Sequence, residues 1–66
     1  MLIQLPIITF KGISYFFDYR LHEIRNMKTA CSIFLNDTEL ELLNYAIQKK
    51  DPVLIKINMD SLKYKL

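Results

Sequence analysis

The chain of 66 residues contains one glycine, one cysteine, one histidine and two prolines. Phosphate-cradling loops of the Walker and dinucleotide types need several glycines to bring backbone amides close to the phosphates, so nucleotide chemistry built on those loops is excluded. Cys31 is alone, which rules out an internal disulfide. One cysteine with one histidine also falls short of the ligand set of a structural zinc site. No metal, cofactor or catalytic residue is therefore expected. No uncharged run approaches the roughly 20 residues of a membrane-spanning helix; the longest, residues 1–10, is interrupted by Gln4 and Pro6. The basic start and small-residue cleavage site of a secretory leader are missing too, so no membrane association and a cytoplasmic location are expected. An excess of one charge is likewise lacking. Nine Lys and Arg against seven Asp and Glu leave a net charge of +2, too even for charge alone to argue for nucleic acid.

What the chain does have is apolar surface: 52% of its residues are hydrophobic and its mean hydropathy is +0.11. A chain this short hides only about 60% of the surface its unfolded form exposes. Small domains of this kind are commonly stabilised by disulfides, metal or a partner, and only the partner remains. A single domain over residues 1–66 that self-associates is expected, most simply as a twofold dimer.

The runs Pro6–Phe10 and Ile13–Phe17, separated by Lys11-Gly12, read as a β-hairpin around which the rest is organised. Gly12 suits a tight reversal; Lys11 is a poorer turn residue than Asn or Asp. If Phe10 opposes Ile13, then Pro6, Ile8, Phe10, Ile13, Tyr15 and Phe17 share one face. Leu5, Ile7, Thr9, Ser14, Phe16 and Asp18 share the other. Both faces are largely apolar, so both want cover, and one helix can cover only one. Pro6 has no amide hydrogen for a ladder, which assigns the first strand to a sheet edge.

Alternation and helical spacing fit Tyr19–Met27 almost equally, and a short helix or irregular turn is expected there, with 26–30 as loop. Residues 31–35 read as a third strand. Asn36-Asp37-Thr38-Glu39 is a helix start, with a capping acceptor, a glutamate three residues on to reach back, and acidic charge at the positive end of the dipole. Leu40, Leu43, Ala46 and Ile47 then form an apolar stripe. Lys49 and Lys50 suit the negative helix end, and Asp51-Pro52 stops it. Val53, Ile55 and Ile57 alternate with Leu54, Lys56 and Asn58 as a strand would. After a reversal over residues 58–61, Leu62, Tyr64 and Leu66 read as a last strand. The expected fold is thus α+β, with four to five mainly antiparallel strands against one main helix.

The stretch Tyr15–Asn26 has the form aromatic, aromatic, x, Asp, Tyr, Arg, Leu, x, Glu, x, Arg, Asn. With the hairpin before it, it resembles a family of small archaeal proteins to which no activity is attached. The resemblance covers about residues 7–26, implies a small hairpin-bearing domain and carries over no catalytic residue. The chain departs from the family in having Met27-Lys28-Thr29 where an Asn-Pro-His segment would follow.

Asp18, Arg20, His22, Glu23 and Arg25 form the densest polar cluster. In a helix Asp18 and His22 would stand four apart and could reach one ligand, but the second histidine of a zinc HExxH motif is missing. A solvated face or intersubunit ion pairs is the better reading, and these five are candidate interaction residues. Cys31 in an apolar run reads as a small core residue, with no evident partner to activate its thiol. Lys56, Lys63 and Lys65, projecting from the same side of a terminal hairpin near Lys49 and Lys50 at the helix end, could follow a phosphate backbone. Lysines that keep an exposed strand from edge pairing are the plainer account. The sequence therefore points to a non-enzymatic interaction module that binds protein, itself included, with nucleic-acid binding through the lysines as the alternative.

Overall fold

The Lys11–Gly12 reversal is a two-residue hairpin turn with positive φ at both positions, 52° and 76°, the pattern of a type I′ turn whose twist matches the flanking strands. It joins β1 (Ile7–Phe10) to β2 (Ile13–Asp18), with Phe10 opposite Ile13. The computed structural model describes residues 4–66, so the first three residues of the strand expected over 1–10 lie outside the described residues. Pro6 still contributes, because its carbonyl accepts the Phe17 amide at 2.9 Å.

Two further strands complete an antiparallel meander: β3 (Glu23–Asn26) and β4 (Ser32–Phe34), in the order β1-β2-β3-β4. Of the short helix or irregular turn expected over 19–27, a tight turn forms over residues 19–22, and a strand follows it. Asp18 turns the chain by accepting the Leu21 amide at 3.1 Å, and His22 takes a left-handed φ of 53°. Ile24, fully buried between Phe17 and Ile33, then finds more cover in the sheet than a one-turn helix would give it. At the β3–β4 turn the Asn26 side chain accepts the amides of Lys28 and Thr29, an Asx turn that satisfies local backbone donors.

α1 (Asp37–Gln48) begins as its sequence signals, with a reciprocal capping box between Asn36 and Glu39. It ends in a Schellman motif. Lys50, at a φ of 53°, donates to the Ile47 carbonyl and Asp51 to that of Ala46.

The C-terminal third differs from the expected strand pair. Residues 52–61 form a second helix, α2 (Pro52–Ser61), followed by a short 3-10 turn over Lys63–Lys65. Asp51-Pro52 ends one helix and starts the next. The Asp51 carboxylate caps the amides of Val53 and Leu54, and proline at the first helical position surrenders an amide that would have no partner anyway. The decisive stripe is Ile55, Met59 and Leu62, spaced four and three apart, rather than the alternation of Val53, Ile55 and Ile57. Met59 and Leu62 are buried, Ile55 partly, while Val53 and Ile57 are more than half exposed. The fold is therefore α+β with four strands and two helices, not four to five strands and one main helix.

Both helices contribute to one core. Ile8, Phe10, Tyr15, Phe17 and Ile24 from the inner sheet face are buried with Leu40 and Leu43 of α1, Met59 of α2, and Leu35 and Leu62. No described helix is long and apolar enough to cross a membrane.

Helical packing of 52–62 can be checked by urea unfolding. Met59→Ala is expected to cost about 2–5 kcal/mol and Ile57→Ala about 0.5 kcal/mol or less. A C-terminal strand with its apolar face inward would give the reverse order.

Candidate functional site

With both helices on one side, the other side of the sheet is open. The register aligns Ile7, Phe16, Arg25 and Ser32 in one row across all four strands, and Asp18, Glu23 and Phe34 in the next. Ile7 is 57% exposed and Phe34 66%, whereas Ile8, Phe17 and Ile24 behind them are almost fully covered. Phe16 is half-buried and lines a shallow groove with Leu5, Ile7 and Arg25.

Beside this apolar strip lies a closed polar triad. Arg25 donates from Nη2 to Glu23 Oε2 at 3.2 Å and from Nε to Ser32 Oγ at 3.1 Å, while the Ser32 hydroxyl donates to the same glutamate oxygen at 3.1 Å. The Glu23 side chain is 17% exposed and that of Arg25 49%. The face thus presents an apolar patch next to the Glu23–Arg25 pair of opposite charges, with the Asp18 carboxylate, bonded to the Leu21 amide, at its margin.

The five residues of the expected polar cluster do different jobs. Asp18 shapes the β2–β3 turn, Arg20 is exposed within that turn, and Glu23 and Arg25 form the triad. His22 stacks against Phe34, ring centroids 6.3 Å apart, with Nδ1 4.0 Å from the Asp37 carboxylate. Asp18 and His22 do not share a helix face, because the segment is a turn. Among the described residues no three His, Cys, Asp or Glu side chains are grouped to hold a metal ion, and Cys31 is exposed rather than a core residue.

Lys56, Lys63 and Lys65 do not share a hairpin, because the segment that would have formed it is helical. Lys49 and Lys50 close α1, with the Lys49 ammonium 5.5 Å from the Tyr45 ring. Lys56 is exposed on α2 and Lys63 begins the 3-10 turn. Lys65 turns back to donate to Glu39 at 2.6 Å and to the Phe34 carbonyl at 3.0 Å.

Comparison of the chain with family models, curated proteins and solved structures finds no match.

That Lys65 contact belongs to a network with no local signature in the sequence. Glu39 accepts the Asn36 amide and the Lys65 ammonium on one carboxylate oxygen and the Tyr64 hydroxyl, at 2.8 Å, on the other. Burial pushes the Glu39 carboxyl up, but the hydrogen bonds from Lys65, Asn36 and Tyr64 outweigh it and hold the group below its ordinary value. The same contacts raise Lys65 and Tyr64, in each case chiefly through the hydrogen bond to Glu39. At the β2–β3 turn, the hydrogen bond to Glu41 and the negative charge of that residue raise Tyr19, tying the turn to α1.

A carboxyl lowered by folding stabilises above its unfolded value and loses that contribution as pH falls through the folded one. Glu39→Gln is therefore expected to destabilise by about 1–2 kcal/mol at pH 7. The gap to the parent should narrow below the ordinary value of 4.5. Thermal unfolding of both proteins between pH 7 and pH 3 measures it; a gap independent of pH would show that the ionised carboxylate contributes nothing.

Proposed function

We propose that the protein is a cytoplasmic, non-enzymatic interaction module that works by pairing through the open face of its sheet, in the first instance with a second copy of itself. The observation that carries this reading is the one-sided placement of the helices. It leaves Ile7 and Phe34 more than half exposed and Phe16 only partly covered, while the inner face is dry. Two features favour a second copy. Across a twofold axis the apolar row meets its like, and Glu23 and Arg25 supply both partners of any ion pair that forms between copies. A face-to-face pair uses outward side chains rather than the free hydrogen-bonding groups of the edge strands β1 and β4, so pairing need not propagate into a fibre.

The size of the contact indicates the class of interface it can form. Strands about 4.8 Å apart and residues rising about 3.4 Å give this face roughly 350 Å² in plan per copy. Side-chain relief and the flanking Leu5 and Leu21 bring a face-to-face pair to the order of 1,000 Å², the lower end for specific interfaces. The dimer should accordingly be reversible, with a dissociation constant in the micromolar range.

Sedimentation velocity from 5 to 200 μM is expected to show the average mass rising from 7.9 kDa towards twice that value. Ile7→Glu, at a site already more than half exposed, should remain monomeric and folded. A parent protein that stays monomeric throughout, or an Ile7→Glu variant that dimerises equally well, would overturn the proposal.

A further inference from the structure

The two edges of the sheet are not alike. In the β1–β2 ladder Phe17 donates to the Pro6 carbonyl, while Ser14 turns its own carbonyl the other way, to the Met27 amide. With Ile8 opposite Tyr15 and Phe10 opposite Ile13, the alternation of an antiparallel ladder puts the backbone groups of Pro6, Ile8 and Phe10 on the β2 side. Those of Ile7 and Thr9 point away from the sheet. None of these four N–H and C=O groups has a partner among the described residues. Pro6 does not guard this edge, because the amide hydrogen it lacks would have faced β2 rather than solvent. At the opposite edge, the Phe34 carbonyl of β4 is taken by the Lys65 ammonium at 3.0 Å.

A shallow groove of about 580 Å³ lies along the open edge, between β1 and α2. Ile7 and Thr9 line it on the sheet side, and Pro52 and Ile55 on the helix side. Ile8 and Phe10 also border it, but their side chains belong to the core and only close its floor. Its charged members are Lys11 and Lys56, both exposed, and no aspartate or glutamate lines it.

We propose that this groove takes an extended acidic segment of another protein as a fifth strand of the sheet. Outward N–H and C=O groups at every second residue, about 6.8 Å apart, are the repeat of a partner β-strand. In such strand addition the main-chain hydrogen bonds supply affinity, and the alternating side chains of the added strand supply selectivity. Here the side chains on the helix side meet Pro52 and Ile55, and carboxylates meet Lys11 and Lys56. The same charges disfavour a second copy of β1 as the occupant. Residues 1–17 contain no acid, and a second β1 would bring another Lys11 to the lysines already present. The site is separate from the face proposed for self-pairing, since it uses the backbone of Ile7 and Thr9 rather than the outward side chains.

Fluorescence anisotropy and amide correlation spectra, with a labelled eight-residue peptide of alternating valine and glutamate as the probe, test this. Saturable binding is expected below 1 mM protein, with the largest shift changes at the Ile7 and Thr9 amides. Thr9→Pro removes an outward amide without removing a ladder bond and should weaken binding about threefold or more. Lys56→Glu, at an exposed position, should do the same. Arg20→Glu, an equal change of charge outside the groove, should alter binding less than about twofold. Circular dichroism checks that each variant is folded. N-methylation of the peptide at every second residue reads the same hydrogen bonds with the protein left intact, and one of the two phases should lose binding about tenfold or more. Five results would overturn the proposal: no binding; both methylated phases binding as the parent peptide does; tighter binding of a valine–lysine peptide; shift changes confined to Phe16, Arg25 and Phe34 on the open face; or concentration-dependent protection of the Ile7 and Thr9 amides without peptide, which would give the edge to a second copy.

Discussion

The contact between the inner sheet face and the helical pair determines everything else in this molecule. Phe17 and Ile24 at the centre of the sheet are buried with Leu43, Met59 and Leu62, all of them at or near zero exposure. Fully burying side chains of this kind contributes about 1.5–3 kcal/mol each, and a short chain has few other sources of stability. Each helix spends its apolar stripe on the same face, so none is left for the other.

Closing that core brings the C-terminal turn to the start of α1 in a way local sequence does not dictate. Once α2 packs with Leu62 inward, Tyr64 and Lys65 arrive at the first turn of α1. Glu39, already engaged in capping, becomes the acceptor for both. One carboxylate thus links helix start, strand end and C-terminal turn.

Legibility in the sequence followed the range of the interactions. The first hairpin, its register, the edge position of β1 and the start, stripe and end of α1 all rest on contacts between near neighbours, and all could be read. Turns were harder. Positive φ is usually announced by glycine, but this chain has only Gly12, and Lys11, His22, Ala30 and Lys50 take that conformation without announcing it. For residues 19–27 a short helix and an irregular turn therefore both stayed open, and β3 was not foreseen. Asp51-Pro52 carried two meanings, a stop and a start, and only the stop was seen. Because Val, Leu and Ile occupy nearly every position from 53 to 57, strand alternation and helical spacing were both available, and the cap on Val53 and Leu54 decided between them. Of the candidate residues, Glu23 and Arg25 meet on the open face. Asp18, Arg20 and His22 serve or occupy the turn beside it, and the lysines are dispersed by the helix that replaced the expected strands. The Glu39 network joins positions about 25 residues apart and depends on α2, so no local pattern could signal it.

The central claim is that the sheet face carrying Ile7 and Phe16 is dried by another copy of the chain. Isotope-filtered nuclear Overhauser spectra of an equimolar mixture of labelled and unlabelled protein test it at the level of atoms. The account predicts intermolecular cross-peaks from the Phe16 ring and the Ile7 methyls at concentrations where the protein is dimeric. Cross-peaks confined to the outer helical residues Leu42, Tyr45 and Ile57, or none at all, would contradict it.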